Sequence, residues 1–255
     1  MSYQYDSEFF DFVNASAGKS ARRFIEALVQ GVFAAHGITS AIDVGCGRGV
    51  WIAEWRRRGV QRVLGVDGDY VPRDTLVIPH ECFIATDISK PFNAGARFDL
   101  VQCLEVAEHV APAAADTLLD SLAGHGDVIV FSAAVPGQGG EHHVNERNYG
   151  YWRRMFAARG YLMYDAIRPL LRNEVDVEPW YRYNAFVYAN EIGTERLSAE
   201  AKKRLLRVPQ RIPNFAPLNW RLRCRAVSLL PSGAVNLAAR LKHRLANRFV
   251  STARR

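Results

Sequence analysis

The chain has 255 residues, 49% of them hydrophobic and 23% charged, with a formal net charge of +7; that is enough for one sizeable core and one to two domains. No run reaches the ~20 apolar residues that span a membrane, and the acidic, aromatic start MSYQYDSEFFDF lacks the basic and apolar regions of a signal peptide. Cys46, Cys82, Cys103 and Cys224 are too scattered for a zinc site or a CxxC pair, so a cytoplasmic protein with reduced thiols is expected.

In chain order, SEFFDFVNASAGKSARRF (7–24) places aromatics ahead of a basic stretch. SAIDVG (40–45) is a short apolar run ending in glycine, and RGVWIAEWRRRG (48–59) predicts a helix closed by Gly59. QRVLGVD (61–67), ECFIATD (81–87) and RFDLVQCLE (97–105) predict three further strands. PAAADTLLDSLAG (112–124) fits a helix with Pro in its first turn and Gly past its end. GDVIVFSAA (126–134) is apolar enough for a strand buried on both faces. YGYWRRMFAARG (149–160) predicts a helix, and YLMYDAIRP (161–169) and YNAFVYAN (183–190) predict strands. This rhythm argues for a mostly parallel sheet covered on both sides, with ligands beyond the carboxyl ends of the strands.

The residues after the strands are therefore the informative ones. After the first strand, Asp43 and the glycines Gly45, Gly47 and Gly49 form Asp-x-Gly-x-Gly-x-Gly, a tight turn opening a helix. The acid within it suits a cationic ligand group and would repel a pyrophosphate. The second strand ends in Asp67, which suits two ribose hydroxyls. The third ends in Asp87, which suits an exocyclic amine. Together they describe a site for a nucleoside with a cationic or zwitterionic tail.

The segments DVGCGRG, GVDGDY, TDISKPF and FDLVQCLEVAEHV resemble the class I S-adenosylmethionine-dependent methyltransferases. The resemblance covers roughly residues 10–190. It implies a Rossmann-like, doubly wound α/β fold of seven strands, the last antiparallel and supplied by YNAFVYAN. It implies S-adenosylmethionine as cofactor, with Asp43, Gly45, Cys46, Gly47 and Gly49 around the methionine part, Asp67 on the ribose, Asp87 and Ile88 at the adenine, and Glu105 at the cofactor. It also implies that 7–24 lies over the cofactor, and no catalytic residue is expected there. The EVAEH and GGxxHVNE segments resemble a bacterial subgroup associated with glycan or secondary-metabolite assembly.

GGEHHVNERNYGYW (139–152) follows the fifth strand and so borders the acceptor side. Methyl transfer to a hydroxyl or ammonium group requires loss of a proton, and a histidine is matched to take it near neutral pH. His143 is the first candidate base by the same resemblance and His142 the second, with Asn145 and Glu146 orienting the base or holding a substrate hydroxyl. Tyr151 and Trp152 either wall the pocket or pack in the core. The glycines 137, 139 and 140 suit a lid. LEVAEH (104–109) adds Glu108 as a catalytic candidate and His109 as a substrate contact. Glu105, Glu108, His109 and His143 also resemble the Mg²⁺ set of small-RNA 2′-O-methyltransferases; metal-free members carry similar segments, so no metal is assigned and Mg²⁺ stays the lesser reading. The fourth strand is followed by no Asn/Asp-Pro-Pro-Tyr/Phe and no Pro-Cys, which disfavours methylation of DNA bases.

Charge divides the chain. Residues 1–193 carry 18 Lys+Arg against 24 Asp+Glu, while 194–255 carry 15 against two, Glu195 and Glu200. A methyltransferase domain over 1–193 and a basic helical extension over 194–255 are expected. In 231–250, Leu237, Leu241, Leu245 and Phe249 repeat every four residues beside Arg240, Arg244 and Arg248, an amphipathic pattern. The extension would dock on the protein's own acidic body, lie peripherally on an anionic membrane surface, or less readily bind nucleic acid. The expected activity is methyl transfer to an oxygen, ahead of a nitrogen, of a sugar-containing or natural-product acceptor. The alternatives are Mg²⁺-dependent RNA ribose methylation and a non-catalytic cofactor-binding scaffold.

Overall fold

A computed structural model describes residues 7–33, 37–231 and 233–242. Seven strands form one sheet: β1 (Ser40–Val44), β2 (Arg62–Asp67), β3 (Phe83–Ala85), β4 (Leu100–Leu104), β5 (Val128–Ser132), β6 (Leu162–Tyr164) and β7 (Phe186–Ala189), in the order β3-β2-β1-β4-β5-β7-β6. The first five are parallel, and β7 is antiparallel to both neighbours, β5 and β6. This is the expected Rossmann-like doubly wound α/β sheet with its last strand antiparallel.

Alternation along the central strands explains the two layers. Ala41, Leu100, Val128, Val130 and Val187 pack with Phe24, Leu28, Trp51 and Trp55, contributed by α1 (Ser7–Ala27), the turn that continues it and α2 (Val50–Arg57). Ile42, Val101, Phe131 and Tyr188 point the other way, onto Leu118 and Leu122 of α3 (Ala115–His125) and Trp152 and Phe156 of α4 (Tyr149–Ala157). The short helices α5 (Arg168–Leu171), α6 (Pro179–Asn184), α7 (Glu191–Glu195) and α8 (Ala199–Lys202) follow, and the side chains of Asn190 and Ser198 cap the last two. Cys103 is a buried strand residue, and all four cysteines are free thiols.

Beyond Leu197 the chain stays against the body. Leu206 N donates to Met163 O, and Arg168 Nη2 donates to Pro213 O. Helix α9 (Leu218–Val227) and the helical residues 233–242 lie over the loop that follows β5. There Arg223 Nη1 donates to Gln138 O (2.9 Å), His142 N donates to Asn236 Oδ1 (2.8 Å), and Arg240 pairs with Glu141 (3.2 Å). Gly137 permits this approach: its φ is +79°, and any Cβ would overlap the Cys224 carbonyl. Leu237 and Leu241, expected on one apolar stripe, are exposed, and Val235, Asn236 and Ala239 are the half-buried residues. Arg244, Leu245, Arg248 and Phe249 lie outside the described residues. No helix among the described residues is long and apolar enough to cross a membrane.

Candidate active site

The carboxyl ends of β1, β2 and β4, together with the loop after β5, surround a cavity of about 1040 Å³. At one end the chain turns from β1 into α2 through Gly45, with φ +82°, where any Cβ would overlap Val106. Gly45→Ala is therefore expected to cost about 2–4 kcal/mol from backbone strain and overpacking, read as a lowered urea midpoint. Gly49 caps α2 behind the cavity wall, against Ile78. Cys46 is buried and lines the cavity, its Sγ near Gly47 O.

Asp43 is buried. Gln102, itself fully buried, donates to its Oδ1 (3.1 Å), while Asp43 Oδ2 has no partner among the described residues. Burial, opposed by the Gln102 bond and reinforced by Asp67, pushes the Asp43 carboxyl up to about 7. Asp67 accepts from Gly47 N and Gly68 N (2.7 Å each) and from Tyr70 OH (2.6 Å). Burial still raises its pKa against those three bonds. Phe10 of α1 lies over Gly47 and stacks with Tyr70, and Arg48 reaches from the turn to Asp11 (2.5 Å). The first turns of α1 thus close over the glycine turn, and Asn14 and Ala17 extend that wall. Asp87, exposed, is held by Ser89 and Lys90, which lower its pKa, the Ser89 bond most; Asp87 and Ile88 both line the cavity.

The other end is built by the residues after β4 and β5. Glu105 has φ +56°, a strained conformation for a non-glycine residue. Gln138 Nε2 (2.6 Å) and Asn184 Nδ2 (3.4 Å) donate to its carboxylate. Glu108 is 1% exposed, and neither carboxylate oxygen has a hydrogen-bond partner among the described residues. Burial first, and then the charge of Glu105, push its pKa well above the usual range. Val144 N and Asn145 N donate to Glu108 O, tying the two loops together. His143 Nδ1 lies 2.8 Å from Glu146 Oε1, and Glu146 also accepts from Gly137 N and Gly139 N. Burial alone would raise Glu146; the His143 and backbone bonds hold it below its ordinary value. His109 meets the His143 ring edge-on at 4.8 Å, and burial followed by the His143 charge drives its pKa well down. His142 also lines the cavity, with φ +57° and its backbone tied to Asn236 and His109.

Of the expected site residues, Asp43, Gly45, Cys46, Gly47, Asp67, Asp87, Ile88, Glu105, Glu108, His109, His142 and His143 line this one cavity. Gly49, Asn145, Glu146 and Trp152 are not among its lining residues. Asn145 is buried, donating to Ala107 O and accepting from Arg147. Glu146 stands behind His143. Trp152 faces Phe131 from the inner side of α4 and belongs to the core. Among the described residues Glu108, His109 and His143 bring ligand atoms within 4.8 Å of one another, and Glu105, engaged by two amides, is outside that group. The sequence reading missed Tyr70, Gln138, Trp180, Arg223 and Lys242, all of which line the cavity. Tyr70 carried a local signal, three residues past Asp67. The last two come from a segment expected to be separate.

The sequence matches a protein family described as a methyltransferase domain over residues 5–169. No curated protein matches the chain. The fold is similar to that of the sugar N-methyltransferase KedS8 from Streptoalloteichus sp ATCC 53650 (TM-score 0.54, 15% identity, 74% of this chain and 94% of that one). It is also similar to Streptomyces venezuelae DesVI (0.51, 15%, 74% and 100%). An O-methyltransferase family protein from Burkholderia thailandensis is similar as well (0.53, 14%, 71% of this chain); this chain spans only 58% of that longer protein. With the family match covering well over half of the chain and the strand-end site of that fold in place, the chain belongs to the methyltransferase domain family.

Proposed function

We propose that the protein transfers a methyl group from S-adenosylmethionine to an oxygen, ahead of a nitrogen, of a sugar-containing or natural-product acceptor, with His143 as general base. The observation that carries this reading is the His143–Glu146 pair beside the cavity that holds the glycine turn and strand-end acids. Glu146, held below its usual range, accepts the Nδ1 proton, which leaves the lone pair on Nε2 for the proton of an acceptor hydroxyl. His142 is the second candidate, and Glu108, whose pKa burial raises well above its ordinary value, stands at the same wall.

The residues present fit S-adenosylmethionine. Asp43 Oδ2 is a buried acceptor without a partner, suited to a cationic amino group. The glycine turn exposes backbone to the cavity. Asp67 suits the ribose hydroxyls once Tyr70 shares its place, Asp87 and Ile88 the adenine, and Glu105 the cofactor's edge. When bound, the cofactor supplies an electrophilic methyl on a sulfonium. The chain's own work is to hold the cofactor's amino group at Asp43, bring the acceptor oxygen within about 3 Å of the methyl carbon, exclude water beneath α1 and remove a proton at His143.

The test is calorimetry with S-adenosylhomocysteine against pH. Burial pushes the Asp43 carboxyl up to about 7, and the ligand's ammonium group requires it ionised. Affinity is therefore highest above that value and falls as pH drops through it, roughly tenfold between pH 8 and pH 6. Asp43→Asn is expected to bind more weakly at every pH and to lose the dependence. Absence of binding at any pH overturns the cofactor reading.

In this reading 1–193 is the cofactor-binding body and 194–255 an extension that completes the acceptor wall in a cytoplasmic enzyme of glycan or secondary-metabolite assembly. The exposed Leu237 and Leu241 beside Arg240 suit peripheral contact with an anionic membrane surface. The second reading, Mg²⁺-dependent RNA ribose methylation, draws on the unpartnered Glu108 carboxylate beside His109 and His143. That donor set does not fit Mg²⁺, which takes oxygen ligands; two imidazoles and one carboxylate suit a softer ion. No step is drawn through a metal.

A further inference from the structure

Glu108 lines the cavity from the turn after β4, and its backbone is fixed there, because Val144 N and Asn145 N both donate to its carbonyl. Its carboxylate is buried, and neither oxygen has a hydrogen-bond partner among the described residues. The backbone N–H groups of Glu108 and Ala134 act on it favourably without reaching hydrogen-bond geometry. Burial, then the like charge of Glu105 and after it that of Glu146, outweigh them and push the carboxyl well up. Burial drives the neighbouring His109 down, so that ring brings no charge near neutral pH, and His143 turns its Nδ1 to Glu146. A carboxylate in such surroundings is matched by a cation that also donates hydrogen bonds. Asp43 repeats the pattern at the cofactor end, where its Oδ2 has no partner among the described residues. One cavity thus holds two buried carboxylates of this kind, one in each half.

We infer that Glu108 binds an amino group of the acceptor, so that the methylated substrate is an amine-bearing compound such as an amino sugar. The inference rests on the transferase reading above and names its substrate class. A hydroxyl would give one oxygen a donor and leave the charge uncompensated, whereas an ammonium brings three donors and the opposite charge. The cofactor's own amino group belongs to Asp43 in that reading. A divalent ion on Glu108 and His143 would take the Nε2 lone pair that the base uses. The Glu108 carboxylate and a His143 nitrogen lie within 4.8 Å of each other, a span that neighbouring substituents of one ring can bridge. The amino group would sit on Glu108 while the group beside it presents its proton to His143.

The test uses the full chain, radiolabelled S-adenosylmethionine and a cell extract divided in two, one half treated beforehand with an amine-selective acetylating ester and quenched. Acetylation is expected to lower the incorporated label at least tenfold. Glu108→Gln is expected to raise the amount of untreated extract that gives half the maximal rate at least tenfold, with the S-adenosylhomocysteine Kd within twofold of wild type and a Tm no lower. Label that survives acetylation overturns the inference, and so does a Glu108→Gln enzyme that half-saturates where wild type does. The latter with a reduced maximal rate would make Glu108 an acid of the chemistry rather than an amine contact. A parallel loss of S-adenosylhomocysteine affinity overturns it too, by assigning Glu108 to the cofactor. Failure of the wild type to label even the untreated half would instead sink the transferase reading. Should Glu108→Gln not fold, the acetylation result decides alone.

Discussion

His143→Ala is expected to lower the rate of methyl transfer by about 10²- to 10⁴-fold, the range for removal of a general base, while leaving the S-adenosylhomocysteine Kd within twofold. The split follows from where His143 stands. It lines the half of the cavity built after β4 and β5, and among the described residues its side chain hydrogen-bonds Glu146, which keeps the Gly137 and Gly139 N–H groups when the imidazole is gone. The loop should therefore hold its shape, and the loss should fall on kcat. Glu146→Gln is expected to be milder, since it keeps a polar group behind the ring but no longer fixes the proton on Nδ1. A His143→Ala enzyme at the wild-type rate would remove the base from the mechanism.

The second large effect is on stability. Arg168 is fully buried and forms a two-pronged pair with Asp165 (2.7 Å on both prongs). It also donates to Tyr183 O (3.2 Å) and Pro213 O (3.0 Å), and its guanidinium lies 3.9 Å over Phe186. Arg168→Ala leaves a buried carboxylate unpaired and takes a donor from two carbonyls, of which Tyr183 O keeps Tyr149 OH. Breaking such a pair costs about 3–5 kcal/mol, which for a domain of this size lowers Tm by roughly 10 °C. The Pro213 bond anchors the approach to α9, so the segment carrying Arg223 should loosen before the sheet does. Replacing both partners with apolar residues, as in Arg168→Met with Asp165→Leu, should recover part of the loss, because the buried charge is then gone. A change below about 1 kcal/mol in Arg168→Ala, on chemical denaturation, would show the pair to be dispensable.

The first four strands were legible because each is a short apolar run ended by Gly, Asp or Glu, and ligand-facing residues of this sheet type sit at those ends. Asp43, Asp67, Glu105 and Glu108 were placed by backbone position alone, so local sequence sufficed. Trp152 was not legible in that way. A helix has several faces, and only the packing of α4 on Phe131 decides that Trp152 points into the core. Asn145 likewise turns inward to Ala107 O because its own backbone is tied to Glu108. Which residues of the C-terminal helix face the body has a steric reason that the repeat of leucines did not carry. The surface that the helix meets is the glycine-bearing loop at 137–140. Val227 and Val235 come within 3.1 Å of where a Gly139 Cβ would stand. So close an approach selects the smaller residues Val235 and Ala239, and Leu237 and Leu241 turn outward.

The most direct measurement is transfer of radiolabelled methyl from S-adenosylmethionine into a cell extract by wild type and by His143→Ala, with and without a chelator, followed by RNase. The expected result is label in an RNase-resistant small-molecule or lipid fraction, formed equally well in the chelator and lost with His143→Ala. Label that RNase releases and chelation abolishes would contradict it in favour of RNA ribose methylation. Label that His143→Ala still delivers at the wild-type rate would contradict the base, and no label from any extract would leave a binding scaffold.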